Sequence, residues 1–331
     1  MREAGEVSRR PRLPLSSLLL LLGLFVMAPG CDGGGGTAEE PEPAPALFNL
    51  AHLEHLTETV TRGTATLALV HIYAEAPTYA WVADDDEGAS ALDDVARAAV
   101  VYLRHYEFTG DAHARKRAEQ LLRFVLYMQR EDGLFYNFVW DNTLRINTEH
   151  PNSRADVFAF WAARAVWALG TGARVLAGVN PALAEACAAA IRRTYPHLDA
   201  LLARYGQTFA RDGLTYPRWL VHETAADATS ELLLGLTSLQ RTAPDPALQQ
   251  RIDRFAEGLA RMQYGSINRF PWAAHASFLG EWHGWGNSQT QALAETGRLE
   301  SARREAEQFY PRLLIDGWMH SFRLNDPASV R

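Results

Sequence analysis

The stretch Gln129-Arg130-Glu131-Asp132-Gly133-Leu134-Phe135-Tyr136-Asn137-Phe138 ends one helical pattern and opens a loop of aromatic and amide residues. Gly133 supplies the backbone freedom that a helix stop requires. The same signature returns at Arg211-Asp212-Gly213-Leu214-Thr215-Tyr216-Pro217-Arg218-Trp219. Weaker copies run from Gln263-Tyr264-Gly265 to Phe270-Pro271-Trp272, and through Asp316-Gly317-Trp318. After each of the first three comes a helical pattern rich in small residues, marked by Arg164-Ala165, Ala225-Ala226 and Gln291-Ala292; an earlier one holds Arg97-Ala98. Small residues let a helix lie close to its neighbours on both sides. Short links such as Thr109-Gly110-Asp111 join antiparallel partners. Long and short connections in alternation predict an all-α fold, an (α/α) toroid of stacked helical hairpins.

Working outward, apolar residues recur at three and four spacing in 48–75, 90–107, 112–130, 154–170, 181–205, 224–240, 247–263, 287–296 and 299–313. No alternating strand pattern stands out. These segments fall short of the roughly twelve helices of a closed six-hairpin ring, so an incomplete or open ring is expected. With 331 residues and 47% hydrophobic content, the chain can bury a substantial core and is not disordered. A net charge of −7 offers no overall positive field to nucleic acid or to an anionic membrane surface. Lys116 is the sole lysine, which reads as coding bias.

The N-terminus reads as an address. Arg2, Arg9, Arg10 and Arg12 precede the apolar run 13–26, which stops at Ala28-Pro29-Gly30-Cys31. This is the pattern of a secretory signal, and the run is too short to span a bilayer. Small residues directly before Cys31 resemble the lipobox of bacterial lipoproteins, which implies a diacylated Cys31 as the mature N-terminus. Ala28 stands where such boxes usually carry Leu. Residues 31–46 follow as a flexible Gly/Pro/Glu tether, and 47–331 form the toroid domain. Without residues 1–30 the chain keeps 28 basic and 37 acidic residues, net −9. An acylated Cys31 leaves Cys187 without a disulfide partner.

Long loops gathered at one face are where a toroid builds a site. Seven of the nine tryptophans lie in or beside them: Trp81, Trp140, Trp219, Trp272, Trp282, Trp285 and Trp318. Aromatic faces stack on sugar rings, while amides, Arg and His read hydroxyls. The expected substrate-binding set is Asn137, Trp140, Arg218, Trp219, His222, Trp272, His275, Trp282 and His283. Glycosidic hydrolysis needs one carboxylic acid to protonate the leaving oxygen and a second carboxylate to activate water or attack carbon. Asp93 and Asp94 open the first inner helix, with Arg97 three residues beyond Asp94 on the same face. Glu149 and Asp156 are the candidates for the second carboxylate. Helix capping accounts equally well for Asp93, Asp227 and the acidic run 84–87. Histidine spacing does not suit zinc, and neither a phosphate cradle nor a nucleophile elbow is present, so no metal and no cofactor is expected.

Leu92-Asp93-Asp94-Val95-Ala96-Arg97-Ala98, then 129–138, then Ala163-Arg164-Ala165-Val166-Trp167-Ala168-Leu169-Gly170 resemble a motif order of six-hairpin glycosidase toroids. That group includes domains appended to some bacterial glycosyltransferases. The resemblance is carried by residues 85–172 and implies an (α/α) toroid and a carbohydrate ligand. Relatives carry a Ser-Glu-Asp segment where this chain has Ala159-Phe160-Trp161, with Asp156 slightly upstream. Polysaccharide lyases also use incomplete toroids, with Tyr or His as base and Arg opposite a uronate; Tyr136, Tyr216, His222 and Arg218 fit those roles. The joint is similar to that of terpene cyclases too, although no cyclase motif accompanies it. The reading that follows is a lipid-anchored cell-envelope glycoside hydrolase. It would be a monomer, acting on an oligo- or polysaccharide, touching membrane only through its N-terminal lipid and binding no nucleic acid. A glycan-binding lipoprotein and a lyase are the alternatives.

Overall fold

In the computed structural model, residues 49–314 and 319–331 are described. The expected signal segment, Cys31, the expected tether and the Asp316-Gly317-Trp318 copy lie outside the described residues. A short helix α1 (Ala51–Leu56) leads into a hairpin of β1 (Thr57–Arg62) and β2 (Ala65–Val70), and then into the short strands β3 (Tyr73–Glu75), β4 (Ala80–Val82) and β5 (Ser90–Ala91). Helices α2 (Leu92–Thr109) and α3 (Ala112–Tyr127) follow, then β6 (Phe138–Val139), α4 (Phe160–Val175) and α5 (Pro181–Leu202). Strands β7 (Thr208–Arg211) and β8 (Leu214–Pro217) precede α6 (Ala226–Thr242) and α7 (Pro246–Ala260). Strand β9 (Glu281–His283), helices α8 (Gln289–Glu295) and α9 (Leu299–Gln308), and β10 (Ser321–Arg323) complete the order.

The helices form four hairpins, α2–α3, α4–α5, α6–α7 and α8–α9. Neighbouring contacts run α2–α4–α6–α8 along an inner layer, with α3, α5 and α7 behind. This is the expected (α/α) toroid, as an arc of four hairpins among the described residues. Composition explains the layering. The inner helices α4 and α6 are buried on nearly every side and are built of Ala, Leu, Gly and Ser. Outer helices are amphipathic and begin on polar caps: Asp111 accepts from the His113 and Ala114 N–H, Asn180 from Leu183, Asp245 from Ala247. The inner helices α2, α4 and α6 begin instead on alanines with no side-chain cap. Their first-turn N–H groups therefore point toward the loop face without a partner from their own cap residue.

Two expectations are corrected. Residues 48–75 are not one helix. Thr57-Glu58-Thr59-Val60-Thr61-Arg62 is rich in β-branched residues, and Gly63 at φ +59 turns it back with Arg62 opposite Ala65. The Arg211-Asp212-Gly213 copy is also a hairpin turn, since Asp212 (φ +52) and Gly213 (φ +77) link β7 to β8. The true structural repeat joins Gln129 to Gln263. Each pairs backbone with a residue further along its loop, Phe135 and His275 respectively. Each also donates its side-chain amide to the next outer helix, at Ala190 O (2.9 Å) and Ser301 O (2.9 Å).

Candidate active site

The loop-face ends of α2, α4 and α6 meet at a cavity of about 650 Å³, within the range of small-molecule sites. Arg97, Phe160, Arg164, His222, Asp227, Phe278, His283 and Trp285 line it. Its floor is an ion-pair chain across three inner helices. Partly buried Arg164 of α4 donates to Asp93 Oδ2 of α2 at 2.6 Å, and through Nε to Glu231 Oε2 of α6 at 3.0 Å. Arg97 donates to Asp94 Oδ1 at 2.5 Å and lies 3.8 Å from Asp93. Three carboxylates, Asp93, Asp94 and Glu231, therefore surround two guanidiniums.

Asn137 fixes the first helix here. Its side-chain oxygen accepts from the Asp93 N–H (3.2 Å) and its backbone oxygen from the Leu92 N–H (2.6 Å). A loop residue thus supplies the cap that Ala91 cannot, and it fixes the helix turn that carries Asp93 and Asp94.

These surroundings set the protonation states. Desolvation raises the Asp94 carboxyl above its ordinary range; the Asp93 charge adds to this, and Arg97 opposes it. Burial likewise pushes Glu231 up to about 7, against the pull of Arg164. Arg164 is desolvated too, yet Glu231 and Asp93 hold its pKa above the ordinary value, so it stays charged. Glu231 is thus the carboxyl of this cluster pushed toward neutrality.

The opposite wall pairs a carboxylate with an aromatic platform. His283 Nε2 lies 3.2 Å from Asp227 Oδ2, and its Nδ1 is buried without a partner. The Trp285 ring stacks on the His283 ring at 4.0 Å and 9°, and stays 60% exposed. Gly286 makes this possible, since a Cβ there would come within 2.7 Å of the His283 ring. Phe278 and the Phe160 ring beneath Arg164 complete the apolar lining.

Of the residues expected from sequence, His222 and His283 line this cavity, while Asp93 and Asp94 do not line it but pair with the lining residues Arg164 and Arg97. Glu149 and Asp156 are exposed loop residues that do not line it, and neither side chain has a partner among the described residues. Asp227 of the inner helix α6 lines the cavity in their place, and Glu231, one turn further on, is buried against Arg164.

Several of the expected sugar-reading side chains lie away from the cavity instead. Trp219 is fully buried and donates to Arg254 O (2.9 Å), and Trp282 is buried against Phe309 and Phe322. Asn137 is the trans cap described above, and His275 is buried against Glu305. Trp272 packs edge-on to Phe270, Trp140 lies under Arg145, and Arg218 pairs with Glu223. None of these three lines the cavity.

Among the described residues, no cluster of three or more His, Cys, Asp or Glu could hold a metal, and no helix is long and apolar enough to cross a membrane. Cys187 is buried between helices, which pushes its thiol up to about 12.

No family profile matches the chain, and no curated protein matches it in sequence. Solved structures do. A glycoside hydrolase family 76 alpha-mannanase of Bacteroides thetaiotaomicron aligns with a TM-score of 0.50 at 10% identity, over 83% of this chain and 73% of its own. A cellobiose 2-epimerase of Spirochaeta thermophila aligns at 0.49 and 16% identity, over 78% and 67%. A metagenome-derived glycoside hydrolase family 9 endoglucanase aligns at 0.43 and 16%, over 77% and 52%. The chain spans about half the length of the family 9 endoglucanases it matches. At these identities the likeness establishes the fold alone, an (α/α) toroid.

Proposed function

We propose that this chain is a carbohydrate-active enzyme, and more finely a glycoside hydrolase of the bacterial cell envelope. The observation that carries the reading is the cavity itself, where an open tryptophan face adjoins carboxylates held in different electrostatic surroundings. Asp94, raised by burial and by Asp93, keeps its proton to higher pH and suits the general acid. Asp227, whose Oδ2 lies 3.2 Å from His283 Nε2, suits the carboxylate that activates water or attacks the anomeric carbon. His283 Nε2–H would orient that carboxylate, while Trp285 stacks the sugar ring. Asp93, Arg164 and Glu231 would hold the three helices in register. A fold shared with an alpha-mannanase agrees with this class of substrate.

A lyase would need free cationic charge to neutralise a uronate. Both cavity arginines are already committed to carboxylates, and acids outnumber them, which favours hydrolysis of a neutral glycan. Lipid anchoring at Cys31 belongs to the same proposal and rests on the sequence of the N-terminus. The test is to incubate the purified chain with a panel of envelope and plant polysaccharides, following reducing ends together with the ultraviolet absorbance of unsaturated uronides. Reducing ends alone are expected. Both signals together would replace hydrolysis with elimination. Neither signal, with tryptophan fluorescence still responding to a glycan, would leave a binding protein.

A further inference from the structure

Away from the glycan cleft, where α9 starts, three side chains form a hydrogen-bonded chain. His275 Nδ1 lies 2.6 Å from Glu305 Oε2, and His275 Nε2 lies 2.9 Å from Ser301 Oγ. Glu305 Oε1 also accepts the His275 backbone N–H at 2.8 Å, and Thr290 donates to Oε2. His275 and Glu305 are fully buried, whereas Ser301 is only partly buried and lines a cavity of about 410 Å³. The carboxylate can only accept, so Nδ1 carries a proton and donates it, and Nε2 is left to accept from the serine hydroxyl. The Ser301 hydroxyl has a second acceptor in Gln263 Oε1, at 3.2 Å.

The helical joint does not require this chain. In the equivalent joint, Gln129 bridges to α5 in the same way, and the place of His275 is taken by Phe135, a plain buried hydrophobe. Replacing such a filler with a buried His–Glu pair incurs a desolvation cost that packing alone does not offset. It does align a serine oxygen with an open cavity.

We propose that Ser301, His275 and Glu305 form a second hydrolytic site that cleaves small acyl esters by a serine acyl-enzyme route. Ser301 Oγ bonds to the ester carbonyl carbon as its proton passes to His275 Nε2. The bond from that carbon to the alcohol oxygen then breaks, and the leaving alcohol takes the proton. Water repeats the sequence on the acyl-serine, releasing a carboxylic acid and restoring the hydroxyl. Charge developing on the carbonyl oxygen meets the first turn of α9, whose N-cap residue Arg298 provides no side-chain acceptor for the first-turn N–H groups. Arg298 and Arg304 on the cavity rim, against Glu300, leave that field net positive. Glu305 is a positioning residue, fixing the tautomer and stabilising the imidazolium.

The full chain is treated with a fluorophosphonate probe and mapped by peptide mass spectrometry, with p-nitrophenyl acetate hydrolysis followed in parallel. The expected results are an adduct on Ser301, and a loss of ester hydrolysis in Ser301→Ala by about 100-fold or more with an unchanged circular dichroism spectrum. Absence of the adduct from the folded wild-type chain, or unaltered hydrolysis in Ser301→Ala, overturns the proposal. Glu305→Gln should move the pH midpoint of labelling downward, because the imidazolium loses its counter-charge; an unmoved midpoint removes Glu305 from the triad. Should that variant fail to fold, Ser301→Ala and the wild-type adduct decide. Cleavage of glycans is expected to be the same in Ser301→Ala, so this proposal and that of the cleft fail separately.

Discussion

Asp94 and Glu231 show how one inner-layer environment gives two carboxyls different tasks. Asp94 is partly open to solvent, so under the proposed function its raised pKa would serve a proton transfer. Asp94→Asn keeps the shape and the Arg97 contact but removes the transferable proton. Turnover on any glycan substrate should fall by about 100-fold or more while the melting temperature moves little, as paired kinetic and thermal-shift measurements would register. Unchanged turnover would remove Asp94 from the mechanism. Glu231 is sealed beneath Arg164, and its consequence is for stability. Folded, it keeps its proton up to about pH 7; unfolded, it releases it near the ordinary 4.5. Between those values the folded chain binds more protons, so this group's contribution to stability falls as pH rises through that window. The full effect is at most about 3 kcal/mol. Glu54 acts oppositely at lower pH: against desolvation, hydrogen bonds from Arg117 and Tyr102 draw it down to about 2, so its contribution is lost only as pH falls below 4.5 toward 2. Thermal melts from pH 5 to 8 should show stability declining through neutrality in wild type and a shallower decline in Glu231→Gln; equal slopes would assign the decline elsewhere. Asp94 was legible in sequence because Arg97 marks its face. Glu231 was not, since it sits in the leucine-rich stretch of α6 and its partner Arg164 lies on another helix. Trp219 and Trp282 misled for a related reason: a tryptophan in a loop sequence can still be the filler beneath that loop.

The inner helices depend on how closely their backbones approach. Gly170 of α4 and Gly235 of α6 face each other, so that a Cβ on Gly170 would lie 2.0 Å from the Gly235 carbonyl oxygen. A Cβ on Gly235 would lie 2.2 Å from Val166 O. Both obstacles are backbone, which cannot rotate away as a side chain can. Gly235→Ala should therefore cost about 3 kcal/mol or more in denaturant titration. Gly178, with nothing within 4 Å and no positive φ, is the matched control, and Gly178→Ala should stay within about 1 kcal/mol of wild type. Similar costs for the two would mean that α4 and α6 can separate without penalty. Most helical segments were readable to within a few residues, because three-and-four spacing and Asx caps act locally. The hairpin at 57–70 was missed because its apolar residues also fall at helical spacing, while Thr57, Thr59, Thr61, Thr64 and Thr66 argue for strand. At Arg211-Asp212-Gly213 the chain reuses the residues of a helix stop to turn a hairpin, and only the partner strand tells the two apart.

Among the described residues the arc of four helical hairpins has two ends, and each is covered by strands rather than by another pair of helices. At one end the β1–β2 hairpin lies against α3 and α2, with Leu67, Leu69 and Val70 buried. At the other end β9 pairs with β10, and Trp282 stacks on Phe322 at 5.0 Å and 13° with Phe309 edge-on to the tryptophan. Repeat arrays need such closures, since a terminal unit has a neighbour on one side only. The terminal unit here is also the shortest: α8 and α9 have 7 and 10 residues, against 16 and 22 in α4 and α5. Much of its stability must then come from the aromatic closure. Phe322 is buried, and Phe322→Ala would remove the ring on which Trp282 stacks, at a local cost of about 3–5 kcal/mol. In native-state hydrogen exchange α8 and α9 should be the least protected hairpin of the wild-type chain, and in Phe322→Ala they should lose protection while α4 and α6 keep theirs. A uniform loss across all four hairpins would mean that the arc opens as one unit, because a nearest-neighbour array lets its end fray first. His283 ends β9 and pairs with Ser321 of β10, so loosening this closure should also release the wall that carries Trp285 and orients Asp227.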